Sequence, residues 1–192
     1  MEKRQLQQSF RSNDDSRIIE GYAVVFEKES EDLGFIEIIH RGAITQELID
    51  NSDVLCNFNH NNEKVLARSN KGFGSLQLEL DDHGLKFRCE APHTELGNTV
   101  LEHIRRNEID SCSFCFTVDK NDKGAEKWSK REGKLYREIF RINGLYDVSV
   151  VFQPAYQDTT VSQRYKEVKA NSLTIDNKIN RLEKEFLDEI EK

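Results

Sequence analysis

Apolar and polar residues alternate over long stretches of this chain, and the alternation divides it into short strands. RIIEGYAVVF (17–26) and FIEIIH (35–40) are rich in Ile, Val and aromatics, and VLCNF (54–58) continues the pattern. SLQLEL (75–80) places Leu76, Leu78 and Leu80 on one face, and LKFRCEA (85–91) does the same with Leu85, Phe87 and Cys89. The DDHG between them carries turn residues, so the pair predicts a β-hairpin. SCSFCFTV (111–118), LYREIFRI (135–142) and LYDVSVVF (145–152) are three further strands, the last two interrupted by a bulge or tight bend at Asn143-Gly144. The period changes in two places. RGAITQELID sets Ile44 and Leu48 four apart, a brief helix. TELGNTVLEHIRRNEI repeats Leu96, Val100 and Ile104 at helical spacing, with Thr94 as its N-cap. About seven strands and one or two helices predict an α+β domain, mainly antiparallel β, with a barrel-like or sandwich core.

The flanks read differently. Residues 1–16 are polar and predict a flexible lead, which leaves 17–160 as the folded domain. KNDKGAEKWSKREGK, which holds the one tryptophan, Trp128, predicts a charged turn or loop. In 161–192 a polar linker leads to LTIDNKINRLEKEFLDEIEK, where Ile175, Ile179, Leu182, Phe186 and Ile190 form one apolar stripe. This amphipathic helix serves docking, self-association through 171–192, or packing on its own domain; the pattern leaves these open.

Charge narrows the partners. With 28 Lys+Arg against 35 Asp+Glu, the net charge of −7 argues against a general nucleic-acid surface. No apolar run is long enough to span a membrane, and the opening residues lack a secretory h-region, so an intracellular protein is expected. Cys56, Cys89, Cys112 and Cys115 then read as core residues or free thiols. Cys112 and Cys115 form a CxxC, but a continuous strand points their sulfurs to opposite faces, the wrong geometry for shared zinc. No metal and no cofactor are expected.

Chemistry at neutral pH needs a base, and the five histidines are His40, His60, His83, His93 and His103. His60 stands out because it follows VLCNFN, just past a strand end, where a rigid scaffold presents groups to solvent. In SCSFCF, Ser111, Ser113 and Cys115 share one face, and Cys112, Phe114 and Phe116 the other. The aromatic face is the core face. The serine face meets a cleft, a second layer or solvent, and a serine there is either a small polar filler or a nucleophile. Asp147 is an acid inside an apolar strand, sharing a face with Leu145 and Ser149. It either pairs with an arginine or orients a histidine. A Cys–His pair through Cys115 is a further reading, although nothing local marks the thiol as activated.

The order of these pieces resembles the prohead (capsid maturation) serine proteases of tailed bacteriophages, relatives of the herpesvirus assemblin-type proteases. The markers run from about Arg17 to about Thr160: IEGYAVVF, IEIIHRGAI, NFNH with a downstream VLARS, HGLKFRCEAP, LEHIRRNEI, SCSFCF and LYDVSVVFQPAY. Asn107, Ser111 and Cys115 stand where such sequences often have glycine. The resemblance implies Ser113 as nucleophile, His60 as general base, Asp147 as the orienting acid, and Arg68 as support for the cleft or the oxyanion. It implies an endopeptidase acting on scaffold or scaffold-like segments of capsid proteins, and on itself, inside the immature shell in the host cytoplasm. The alternative is an inactive capsid-assembly or scaffold protein that keeps the fold.

Overall fold

The computed structural model describes residues 1–7 and 16–152, which belong to the first of two units of the chain, Met1–Tyr156. The expected C-terminal helix and the PAY motif lie outside the described residues. In chain order the elements are β1 (Glu2–Gln7), β2 (Ile18–Val25), β3 (Ile36–Ile39), α1 (Gln46–Asn51), β4 (Asp53–Phe58) and β5 (Asn61–Asn70). They continue with β6 (Phe73–Gly74), β7 (Leu76–Leu80), β8 (Gly84–Glu90), α2 (Glu95–Arg105) and β9 (Ser111–Thr117). The last three are β10 (Glu126–Arg131), β11 (Lys134–Ile139) and β12 (Gly144–Val151). A six-stranded sheet runs in the order β1-β9-β12-β4-β5-β6, accompanied by two three-stranded sheets, β10-β11-β3 and β2-β8-β7. Most pairings are antiparallel; β12–β4 and β11–β3 are parallel. The α+β, mainly antiparallel class therefore holds, as a layered core rather than a closed barrel.

The alternating patterns form the layers. In the β2-β8-β7 sheet, Ile19, Leu85, Phe87, Cys89 and Leu76 are buried, with Leu78 and Leu80 packed against them. They meet Val54, Cys56, Cys112, Phe114, Phe116, Val148 and Val150 of the six-stranded sheet in one apolar cluster. Cys56 Sγ and Cys89 Sγ lie 3.9 Å apart across this interface, as free thiols in contact. Gly84 opens β8 where a Cβ would sit 1.9 Å from the Val24 carbonyl oxygen, so only glycine allows the strands this approach. Helix α2 is N-capped by Thr94, whose hydroxyl accepts the Gly97 N–H at 3.2 Å, and it buries Val100, Leu101 and Ile104. Its C-terminal turn ends on Asn107 at φ 55, the left-handed position that asparagine fills when glycine is absent. Thr94→Ala should cost about 1 kcal/mol, read as a lower urea midpoint with an unchanged slope.

Three local expectations change. There are twelve described strands rather than about seven, partly because 126–131 is a strand and not a loop. Lys127 and Trp128 pair with Glu138 and Arg137, and the polar hairpin is held by its partner strand instead of by a continuous apolar face. Residues 135–142 and 145–152 belong to different sheets, so Asn143-Gly144 is a crossing between layers. Residues 2–7, read as part of a flexible lead, form an edge strand paired with β9. Two of their charges, Glu2 and Arg4, are buried rather than solvated. Arg4 is ion-paired with Glu2 and Glu37, and Arg137 with Glu2, Glu37 and Glu126. Two guanidiniums and three carboxylates thus close a cluster that fastens β1 to the β10-β11-β3 sheet.

Candidate active site

The site is built from two cross-strand rows on the face of the six-stranded sheet opposite its apolar cluster. In one row Ser113 of β9 lies opposite Ser149 of β12, which lies opposite Asn57 of β4. In the next, Cys115 lies opposite Asp147 and Asp147 opposite Leu55. A register shift between Leu145 and Asp147 makes this alignment. The bulge turns half-exposed Tyr146 outward and puts Leu145 into the core with Val148 and Val150, while Asp147 and Ser149 keep the serine face. The expectation that Leu145 shares Asp147's face is corrected accordingly. A strict period of two cannot anticipate an inserted residue.

His60 reaches these rows from a two-residue turn. Phe58 pairs with Asn61, and Asn59 and His60 between them have φ 54 and 56. Two consecutive left-handed residues make the type I′ geometry favoured in tight hairpins, and asparagine and histidine tolerate it better than most residues. The turn is fixed to β12, because the Asn59 N–H donates to the Val150 carbonyl at 3.1 Å and Asn59 Oδ1 accepts the Phe152 N–H at 3.3 Å. The imidazole folds back over the sheet. Its Nε2 is 2.5 Å from Ser113 Oγ, and its Nδ1 is 2.7 Å from Asp147 Oδ1. An ionised carboxylate only accepts, so Nδ1 carries the proton and Nε2 is the lone-pair nitrogen facing the serine hydroxyl. Ser113 and Asp147 are buried, and the His60 side chain is 11% exposed. In such a setting the hydrogen bonds are screened little by solvent.

Three sequence-predicted residues, Ser113, His60 and Asp147, are therefore joined through hydrogen bonds although they lie far apart in the chain. The fourth, Arg68, is not among them. It sits opposite Leu55 on β5, and its Nε and Nη2 hold the Asp53 carboxylate at 2.7 and 2.5 Å. That hydrogen bond also holds the Asp53 carboxyl below its ordinary value. Its fork is thus engaged by Asp53, at a half-exposed side chain, and makes no hydrogen bond with Ser113, His60 or Asp147. Cys115 shares the serine's face, but burial first, and then the Asp147 charge, push its thiol up to about 11, so it stays protonated at neutral pH. Cys112 is driven higher by burial on the core face. Among the described residues no three His, Cys, Asp or Glu side chains converge as metal ligands would.

Two residues at the site were not singled out from sequence. Ser149 Oγ lies 2.7 Å from Asp147 Oδ1, 3.0 Å from His60 Nδ1 and 2.5 Å from Asn57 Oδ1, and Asn57 Nδ2 lies 3.2 Å from Asn62 Oδ1. Ser149 and Asn57 are fully buried. The signal available beforehand was weak: an asparagine inside VLCNF and a serine two residues after the acid.

Constellations of this kind recur on unrelated folds, so comparison with known proteins is informative. Sequence comparison with curated proteins finds no match. Among solved structures, the chain is similar to the bacteriophage T4 capsid assembly protease, gp21. The two are 12% identical, the match covers 80% of this chain and 100% of that one, and the TM-score is 0.51. At that identity the likeness speaks for the fold. The family described as caudovirus prohead serine protease matches residues 4–173. That match takes in every strand and both helices of the described domain except the first residues of β1, and the chain belongs to the caudovirus prohead serine protease family.

Proposed function

We propose that this protein is a serine endopeptidase that cleaves scaffold or scaffold-like segments of capsid proteins, and itself, during maturation of the immature shell in the host cytoplasm. The observation that carries this reading is the unbroken chain Ser113 Oγ–His60–Asp147, at 2.5 and 2.7 Å. Ser113 Oγ attacks the scissile carbonyl carbon while His60 Nε2 takes the hydroxyl proton. Asp147 holds the ring by its Nδ1–H and stabilises the imidazolium. The imidazolium then protonates the leaving amine, and the C–N bond breaks. Water, deprotonated by the same nitrogen, hydrolyses the acyl-enzyme. Family membership supports the protease class, and the capsid assembly protease from phage T4 supports the choice of capsid proteins as substrates. The reading as an inactive assembly protein draws no support from this geometry, because a scaffold has no need of three hydrogen-bonded groups in this order.

The experiment is co-expression of the full chain with its capsid precursor, read by intact mass spectrometry. Discrete truncation products from the precursor are expected. A precursor left whole, both in solution and in assembled shells, overturns the proposal.

A further inference from the structure

The hydrogen bonds around Ser149 do not balance as a simple triad. One hydroxyl proton faces two oxygens within reach, Asp147 Oδ1 at 2.7 Å and Asn57 Oδ1 at 2.5 Å. It can serve only one. The two ends of an asparagine amide are nearly indistinguishable by shape, so its orientation follows from its partners. With the Asn57 amide turned over, its NH₂ donates to Ser149 Oγ. The Ser149 hydroxyl then donates to Asp147 Oδ1, and the Asn57 carbonyl faces Asn62, whose own amide turns to donate. Every buried group then has a partner of the right kind.

From this we infer that Ser149, backed by Asn57, is a positioning residue for the catalytic base: it holds Asp147, and through Asp147 the imidazole, in the orientation that serves Ser113. The inference rests on the proposed triad. Asp147 Oδ1 receives two donors, the His60 Nδ1–H and the Ser149 hydroxyl, which pin the carboxylate from two sides. Ser149 Oγ also lies 3.0 Å from His60 Nδ1, so the ring proton is shared between Asp147 and Ser149. The row Ser113–Ser149–Asn57 puts this support directly under the imidazole, on rigid central strands. A merely space-filling polar residue would not need its hydroxyl within reach of both the acid and the base.

The test compares the full-length wild type with Ser149→Ala and Ser149→Thr, with His60→Ala as control. Three quantities are measured: the rate of covalent labelling of Ser113 by a fluorophosphonate, mapped by peptide mass; the proton NMR signal of His60 Nδ1–H; and the thermal midpoint. For Ser149→Ala the labelling rate should fall about ten- to a hundred-fold, the worth of a hydrogen bond to a charged group. The Nδ1–H signal should move, and the midpoint should change by only a few degrees. Ser149→Thr, which keeps the hydroxyl, should recover most of the rate. Labelling of Ser149→Ala at the wild-type rate with an unmoved signal overturns this inference and leaves the triad standing. Wild-type labelling absent from Ser113, or unaffected by His60→Ala, overturns the triad and this inference with it.

Discussion

Ser113→Ala is expected to abolish processing of the capsid precursor while leaving the fold intact. In serine hydrolases, loss of the nucleophile or of the base lowers turnover by about 10⁶-fold, and loss of both costs little more. Ser113→Ala and His60→Ala should therefore each reach the same floor, and the double variant should match the singles. That non-additivity is the useful result, since independent contributors would multiply. Asp147→Asn keeps the shape but presents an amide to Nδ1, which can favour the wrong tautomer. It should lower turnover by about 10⁴-fold. Single-turnover cleavage followed by intact mass, with circular dichroism as the check on folding, separates these cases. Ser113→Ala cleaving at the wild-type rate would remove the serine from the mechanism. Cys115, the thiol on the serine's face, is held protonated at neutral pH, so no rescue by it is expected.

The largest expected effect on stability lies away from the site, at Arg137. This guanidinium is 1% exposed and meets Glu2, Glu37 and Glu126, with the Trp128 ring 5.6 Å from its centre. Arg137→Ala takes a guanidinium from three carboxylates, of which Glu2 and Glu37 also meet Arg4, in a poorly solvated space. Breaking such a buried cluster from one side costs about 3–5 kcal/mol, whereas replacing the whole cluster with apolar residues is often neutral. Chemical denaturation should show the loss, with hydrogen exchange in β1 and β9 rising first. The same cluster predicts an acid limb. Burial alone would raise the Glu2 carboxyl, but the Arg137 hydrogen bond and charge more than offset it, and the value falls from 4.5 to about 2. The folded state thus keeps Glu2 charged where the unfolded chain takes up a proton. Its stabilisation is full above pH 4.5 and is lost as pH falls toward 2. That amounts to about 3 kcal/mol at most by linkage. Glu2→Gln should flatten this limb in a urea-midpoint series against pH.

The helix α2 with its Thr94 cap, the β7–β8 hairpin and the two-faced SCSFCF strand were all legible in the sequence. So was the triad as a set of candidates. The helix, the hairpin and the strand depend on neighbours a few residues apart, and local periodicity, turn chemistry and capping report on such neighbours directly. His60 was singled out by its place just past a strand end and Asp147 by being an acid in an apolar run, while the resemblance to the prohead proteases selected Ser113 from the serine face. What sequence did not convey depends on residues brought together from far along the chain. Glu2 and Arg4 fell within the expected flexible lead, and nothing local marks Glu37 or Arg137 as buried, because each charge alone would be costly to bury. They are buried only because three strands, β1, β3 and β11, deliver opposite charges to one place. The bulge at Tyr146, which aligns Asp147 and Ser149 with Cys115 and Ser113, follows from pairing with β9 and leaves no mark in the alternation of β12. Arg68 was proposed from the family resemblance alone, and cross-strand geometry gives its guanidinium to Asp53. Short-range pattern thus settles which elements form and which side chains are eligible for chemistry. Strand order and register settle which of them meet, because pairing between distant strands fixes distances that the chain alone leaves free.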